Sequence, residues 1–151
     1  MTTITPQTLC KTFQHQIEDV LDMPLSGSAD LFTALDQCAA FVCVMAECQD
    51  DYYRLALCGR LAHALSVLRQ RCSEDLPENL ISQLTAEKVT VSEIPDFWHD
   101  TELLLDYADA LILALSGKTL IDKNSQDLVG LLHDLVFLLV DQLKTPFITH
   151  S

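Results

Sequence analysis

The sequence predicts an all-α protein: an irregular bundle of five or six helices, four of them long and forming the core. Three observations carry this prediction. Hydrophobic residues make up 49% of the chain, too many for a disordered polypeptide even at a net charge of −13. Only four Gly and five Pro are present, which argues against many tight turns. Leu and Ala are abundant and β-branched residues form few runs, a composition that favours helices. At 151 residues the chain fits one domain, 1–151, able to bury a real core. Residues 1–4 and 146–151 are expected to be flexible ends.

The elements follow in order. Thr5-Pro6 opens a first helix, with Thr as cap and Pro at the first helical position. Leu9, Phe13, Ile17, Val20 and Leu21 keep helical spacing until Met23-Pro24 stops it. After the loop "PLSGS", Ser28 can cap a second helix over about 29–48. Its apolar arc of roughly 200° holds Leu31, Phe32, Ala34, Leu35, Cys38, Phe41, Val42 and Met45. "QDD" at 49–51 breaks the chain and offers an Asp cap. The third helix, about 51–72, lines up Leu57, Leu61, Leu65, Leu68 and Cys72, while Ala56, Gly59 and Ala62 would admit another backbone closely. "NLISQLTAEKV" reads as a short helix and "TVSEIP" as irregular or briefly extended. Ser92 or Pro95 starts the next long helix, which ends at Gly117. Asn124 or Ser125 caps the last helix, and Pro146 ends it.

Composition also bounds location. "MTTITPQTLCKTFQHQ" lacks a basic start followed by an apolar run, so no signal peptide is expected. No stretch of eighteen apolar residues occurs, so no membrane span is expected, and the predicted home is the cytoplasm. Six cysteines fit that home as reduced thiols. Cys38, Cys43 and Cys48 turn about 140° from one to the next on a helix and cannot share a metal.

Charge is unevenly spread. Residues 74–116 carry ten acids and one Lys, whereas all four Arg lie within 50–73. Internal pairing of that basic helix with acidic neighbours accounts for this distribution. An acidic surface repels phosphates, so direct nucleic-acid binding is not expected, and a basic protein partner suits it better.

The strongest chemical cluster is "DFWHDTELLLDYAD", 96–109. His99, Glu102, Asp106 and Asp109 fall within roughly 80° of one helix face. Metal sites in helical bundles need ligands from facing helices as well. No cofactor or tightly held metal is therefore expected; were one bound, His99, Glu102 and Asp106 would be its ligands. The alternative role for this stripe is partner binding through Glu102, Asp106 and Asp109, with Trp98 as an aromatic anchor. Asp19-x-x-Asp22 and Glu47-x-x-Asp50 are similar to the paired acidic motifs with which the all-helical nucleotide pyrophosphatases hold magnesium. That family has Glu where the first pair here has Asp, and the similarity covers four residues, so membership is not assigned. No G-x-S-x-G or Gly-rich phosphate loop is present. His15, His63 and His133 are scattered over helices.

"DLVGLLHDLVFLLVDQL", 127–143, is apolar over roughly 250° of its circumference, wider than one core-facing stripe requires. This predicts a two-fold homodimer centred on Leu128, Leu132, Leu135, Val136 and Leu139. The function expected from all of this is a non-enzymatic acidic interaction protein: an adaptor, chaperone or inhibitor of a basic protein. The alternatives are a metal-dependent phosphate-ester or nucleotide hydrolase and an acidic nucleic-acid mimic.

Overall fold

The computed structural model describes residues 17–25, 27–87, 100–117, 119–146 and 148–149. These form six helices. Residues 17–21 are helical and are called α1. They are followed by α2 (Leu31–Glu47), α3 (Asp51–Cys72), α4 (Glu78–Gln83), α5 (Thr101–Ser116) and α6 (Asp122–Lys144). A two-residue parallel ladder pairs β1 (Thr85–Ala86) with β2 (Ile148–Thr149), where the Ile148 N–H donates to the Leu84 carbonyl at 3.1 Å. The 146–151 tail, expected to be loose, is thus tied back at 148–149. The predicted all-α bundle is the observed architecture.

Aspartates start three of the long helices. Asp30 caps α2 by accepting from the Thr33 N–H at 2.7 Å. That bond holds its carboxyl below the usual range, because it favours the charged form. Asp50 caps α3 by accepting from Tyr52 and Tyr53 N–H at 2.9 and 3.1 Å. Asp100 caps α5 through the Leu103 N–H at 3.1 Å. Asp30 therefore replaces Ser28, and Asp100 replaces Ser92 or Pro95, as the starting residue. Asp30 directly precedes the apolar repeat, and Asp100 stands three residues before the first leucine of its helix, Leu103. α6 begins earlier than Asn124 or Ser125 suggested, at Asp122, whose charge suits the positive end of the helix dipole. α4 is shorter than expected because Thr85 and Ala86 turn extended. The remainder of that loop and the start of helix one lie outside the described residues.

The four long helices pack in a square. α2 lies against α3 and α6, and α5 lies against α3 and α6, so the α2–α3 and α5–α6 pairs form opposite sides. The core between them contains Leu35, Phe41, Met45, Leu57, Leu61, Leu65, Leu68, Leu104 and Leu132, all buried. Each such side chain contributes roughly 1.5–3 kcal/mol by leaving water. Three expectations are corrected. Phe32 is only half-buried, with the Lys144 ammonium 5.4 Å from its ring centre. Cys72 is exposed rather than on the core face of α3. Gly59 faces solvent, and a Cβ added there would meet nothing within 4 Å, so it admits no close backbone.

Cys38, Cys48 and Cys58 are buried and Cys43 and Cys72 exposed, all as free thiols. Burial pushes the Cys38 thiol up to about 12, because the interior disfavours a thiolate. The buried thiols act as small core hydrophobes. No helix among the described residues is long and apolar enough to cross a membrane.

Candidate interaction surface

The arginines of α3 are all used inside the molecule. Arg54 donates to the Cys48 carbonyl at 2.8 Å and stands 3.6 Å from Asp51. Arg60 donates to the Met23 carbonyl, and its guanidinium lies 6.0 Å from the centre of the Phe41 ring. Arg71 donates to the carbonyls of Gly27 and Ala29 and pairs with Glu74 at 2.9 Å. Arg69 reaches across to α5, where one of its nitrogens contacts both Asp106 and Asp109 at 2.9 Å. The two lysines with described side chains are also paired, Lys123 with Asp127 at 3.0 Å and Lys144 with Asp36 at 2.5 Å.

This changes the reading of the acidic stripe. Glu102, Asp106 and Asp109 are exposed on α5 as the helical spacing required. Two of the three are nonetheless partners of Arg69 and help fasten α5 to α3. Both carboxylates raise the Arg69 pKa, the Asp109 hydrogen bond most. Trp98 and His99 lie outside the described residues. Among the described residues, no three His, Cys, Asp or Glu side chains are grouped so as to hold a metal ion. Of the acids in the pyrophosphatase-like pairs, Asp50 is the α3 cap, its carboxylate already accepting two backbone N–H groups. A cavity of about 260 Å³ between the starts of α3 and α6 is lined by Asp51, Arg54, Leu55, Leu115, Leu120, Asp122 and Ser125. Its lining includes one hydroxyl, Ser125, and two carboxylates, Asp51 and Asp122, but no histidine, lysine or cysteine. His133 is tied locally, its Nδ1 3.2 Å from Asp134 and its ring 4.6 Å from that of Phe137.

The positions expected at a dimer centre are also placed differently. Leu132, Leu135, Val136 and Leu139 are buried in the chain's own core, and Leu128 is half-buried against it. Neighbouring helices α2 and α5 enclose that arc, so a second copy is not needed to cover it. Asp127, Gly130, Asp134 and Asp141 do face solvent. What stays outside is the edge of the apolar arc, above all Leu131, which is 47% exposed. On α5 the corresponding residue is Tyr107, 43% exposed. Both residues were legible as apolar, but their exposure depends on which helices become neighbours.

No protein-family model matches the chain, and neither a curated protein nor a solved structure matches it.

Proposed function

We propose that the chain is a non-enzymatic interaction protein, an adaptor, chaperone or inhibitor that receives a basic protein partner on its acidic surface. The observation that carries this reading is where the cations go. Every described Arg and Lys side chain has a partner within the protein, while acids on α4, α5 and α6 stand in solvent. The surface potential is therefore strongly negative, which speeds encounter with a positive partner and repels phosphate backbones. The hydrolase alternative lacks a grouped carboxylate set among the described residues. The nucleic-acid mimic wants regularly spaced free carboxylates, and Arg69 interrupts the one stripe that approached this. A homodimer is less favoured than a basic partner, since a two-fold contact would bring like charges together.

The test is capture from native cells on the full chain, with bound proteins identified after washes of rising ionic strength. Proteins rich in Lys and Arg should dominate, and they should elute as the screening length falls towards about 3 Å at 1 M salt. A bound set without basic bias, or one indifferent to salt, would defeat the reading.

A further inference from the structure

We infer that the outer seam between α5 and α6 is the docking groove for a basic amphipathic helix of the partner. The inference rests on the proposed function and names the surface and the shape of ligand. It begins with the two helical wheels. At about 100° per residue, Leu103, Tyr107, Ala110 and Ala114 lie on the flank of α5 that turns towards α6. The Arg69 bridge fixes the orientation: Asp106 and Asp109 point to the α3 side, so the opposite flank points to α6. On α6, Lys144 reaches Asp36 of α2, so the flank carrying Leu128, Leu131 and Leu138 is the one facing α5. The apolar flanks therefore adjoin along the outside of the helix pair. Tyr107, Ala110, Ala114 and Leu131 are exposed there, while Leu103, Leu128 and Leu138 are half-buried.

Acids border the outside of this seam: Asp127, Asp134 and Asp141 follow α6, and beyond the Ala110 flank of α5 run Glu102, Asp106 and Asp109, the last two turned towards Arg69 of α3, all of them exposed. Among the described residues, Arg69 pairs with Asp106 and Asp109, Lys123 with Asp127, and the His133 ring with Asp134, while Glu102 and Asp141 stand in solvent. An apolar strip between two negative rows complements a helix with an apolar face flanked by Lys and Arg, which is helix-in-groove recognition. The 16 residues of α5 give a seam of about 24 Å, enough for four turns of such a ligand. A second copy fits less well, because its own acids would face these rows.

Fluorescence anisotropy with two labelled synthetic peptides tests this. One is an amphipathic helix of about 18 residues, with Leu on one face and Lys or Arg on both flanks. The other has the same composition in scrambled order. The amphipathic peptide should bind the full chain at micromolar concentration, and the scrambled one at least tenfold more weakly. Leu131→Glu and Tyr107→Ser should each weaken binding about tenfold. The pair Asp134→Lys and Asp141→Lys, at exposed positions, should do the same and flatten the salt dependence, with circular dichroism checking that the variant keeps its helices. Equal binding of both peptides, with Leu131→Glu silent, would overturn the groove and leave the basic-partner reading standing. If neither peptide binds at low salt, both fall. A dimer in sedimentation that Leu131→Glu dissolves would overturn the inference by making a second copy the occupant.

Discussion

The α2–α3 side of the bundle and the α5–α6 side opposite it are both edged with apolar residues, yet among the described residues only the first is roofed. Residues 17–25 lie over α2 and α3, and three side chains of those helices donate four hydrogen bonds to their backbone and the adjoining loop, one of them from Arg71 to the Gly27 carbonyl. Gln37 donates to the Pro24 carbonyl at 3.0 Å, Arg60 to Met23, and Arg71 to Ala29 at 2.7 Å. Under that roof Ile17 and Val67 are buried and Val20, Leu21, Met23 and Leu25 are packed against the core. On the other side Tyr107 and Leu131 remain in water, and Leu113 is 76% exposed. The difference lies in where the donors sit. Arg60 and Arg71 lie on the flank of α3 turned to α2, where they can receive carbonyls of a crossing chain. The α5–α6 edge carries acids, which cannot donate to a carbonyl, so no strand of this chain is tied across it among the described residues.

The largest expected effect separates two adjacent leucines. Leu132 is 0% exposed and Leu131 47%. Leu132→Ala should cost about 2–5 kcal/mol, since it opens a cavity in the core, whereas Leu131→Ala should cost less than about 1 kcal/mol. Urea denaturation of the two variants reads the contrast directly. Equal losses would show that the α5–α6 side is covered in solution, and the comparison between the two sides would fail.

The helices themselves were legible from spacing because burial of one face is a local pattern, and α2 shows it clearly: Leu31, Ala34, Leu35, Cys38, Phe41, Val42 and Met45 are all buried as read. What was not legible is which part of a broad apolar arc meets a neighbour. Residues 127–143 are apolar over too wide an arc to rank Leu131 against Leu132 from sequence, and so four core residues were assigned to a dimer interface. The acidic stripe has the same origin. Spacing placed Glu102, Asp106 and Asp109 on one face, but Arg69, the partner of the two aspartates, is 37 residues from Asp106 in sequence and 40 from Asp109. Only the antiparallel packing of α3 on α5 brings them together.

A smaller effect should convert the roofed side into an open one. Arg60→Ala removes the donor to Met23 and the guanidinium over Phe41. A bond from a charged donor contributes about 1.5–3 kcal/mol, and the loss should fall in that range. The segment 17–25 should also loosen, which hydrogen exchange of its amides would register as faster protection loss than in α5. Unchanged exchange at those amides would mean that apolar packing by Ile17, Val20 and Leu21 holds the roof without the arginine.

The smallest expected effect on stability, and the most informative for function, concerns Arg69. Its side chain is 38% exposed, and those of Asp106 and Asp109 are 61% and 49% exposed. Water and salt screen such a bridge, so Arg69→Ala should cost at most about 1 kcal/mol and less at high salt. The same change removes the cation paired with Asp106 and Asp109. It also leaves Asp106 and Asp109 free to meet an incoming Lys or Arg. Affinity for a basic amphipathic peptide should therefore rise a few-fold while stability drops slightly, two effects of opposite sign from one substitution. Reversing Asp106 and Asp109 to Lys gives no such separation, because it sets two ammonium groups against Arg69 and loosens α5 from α3 as well as weakening binding. Should Arg69→Ala leave peptide affinity unchanged, Asp106 and Asp109 serve only to fasten α5 to α3, and docking on this side would rest on the α6 row of Asp127, Asp134 and Asp141 together with the apolar seam.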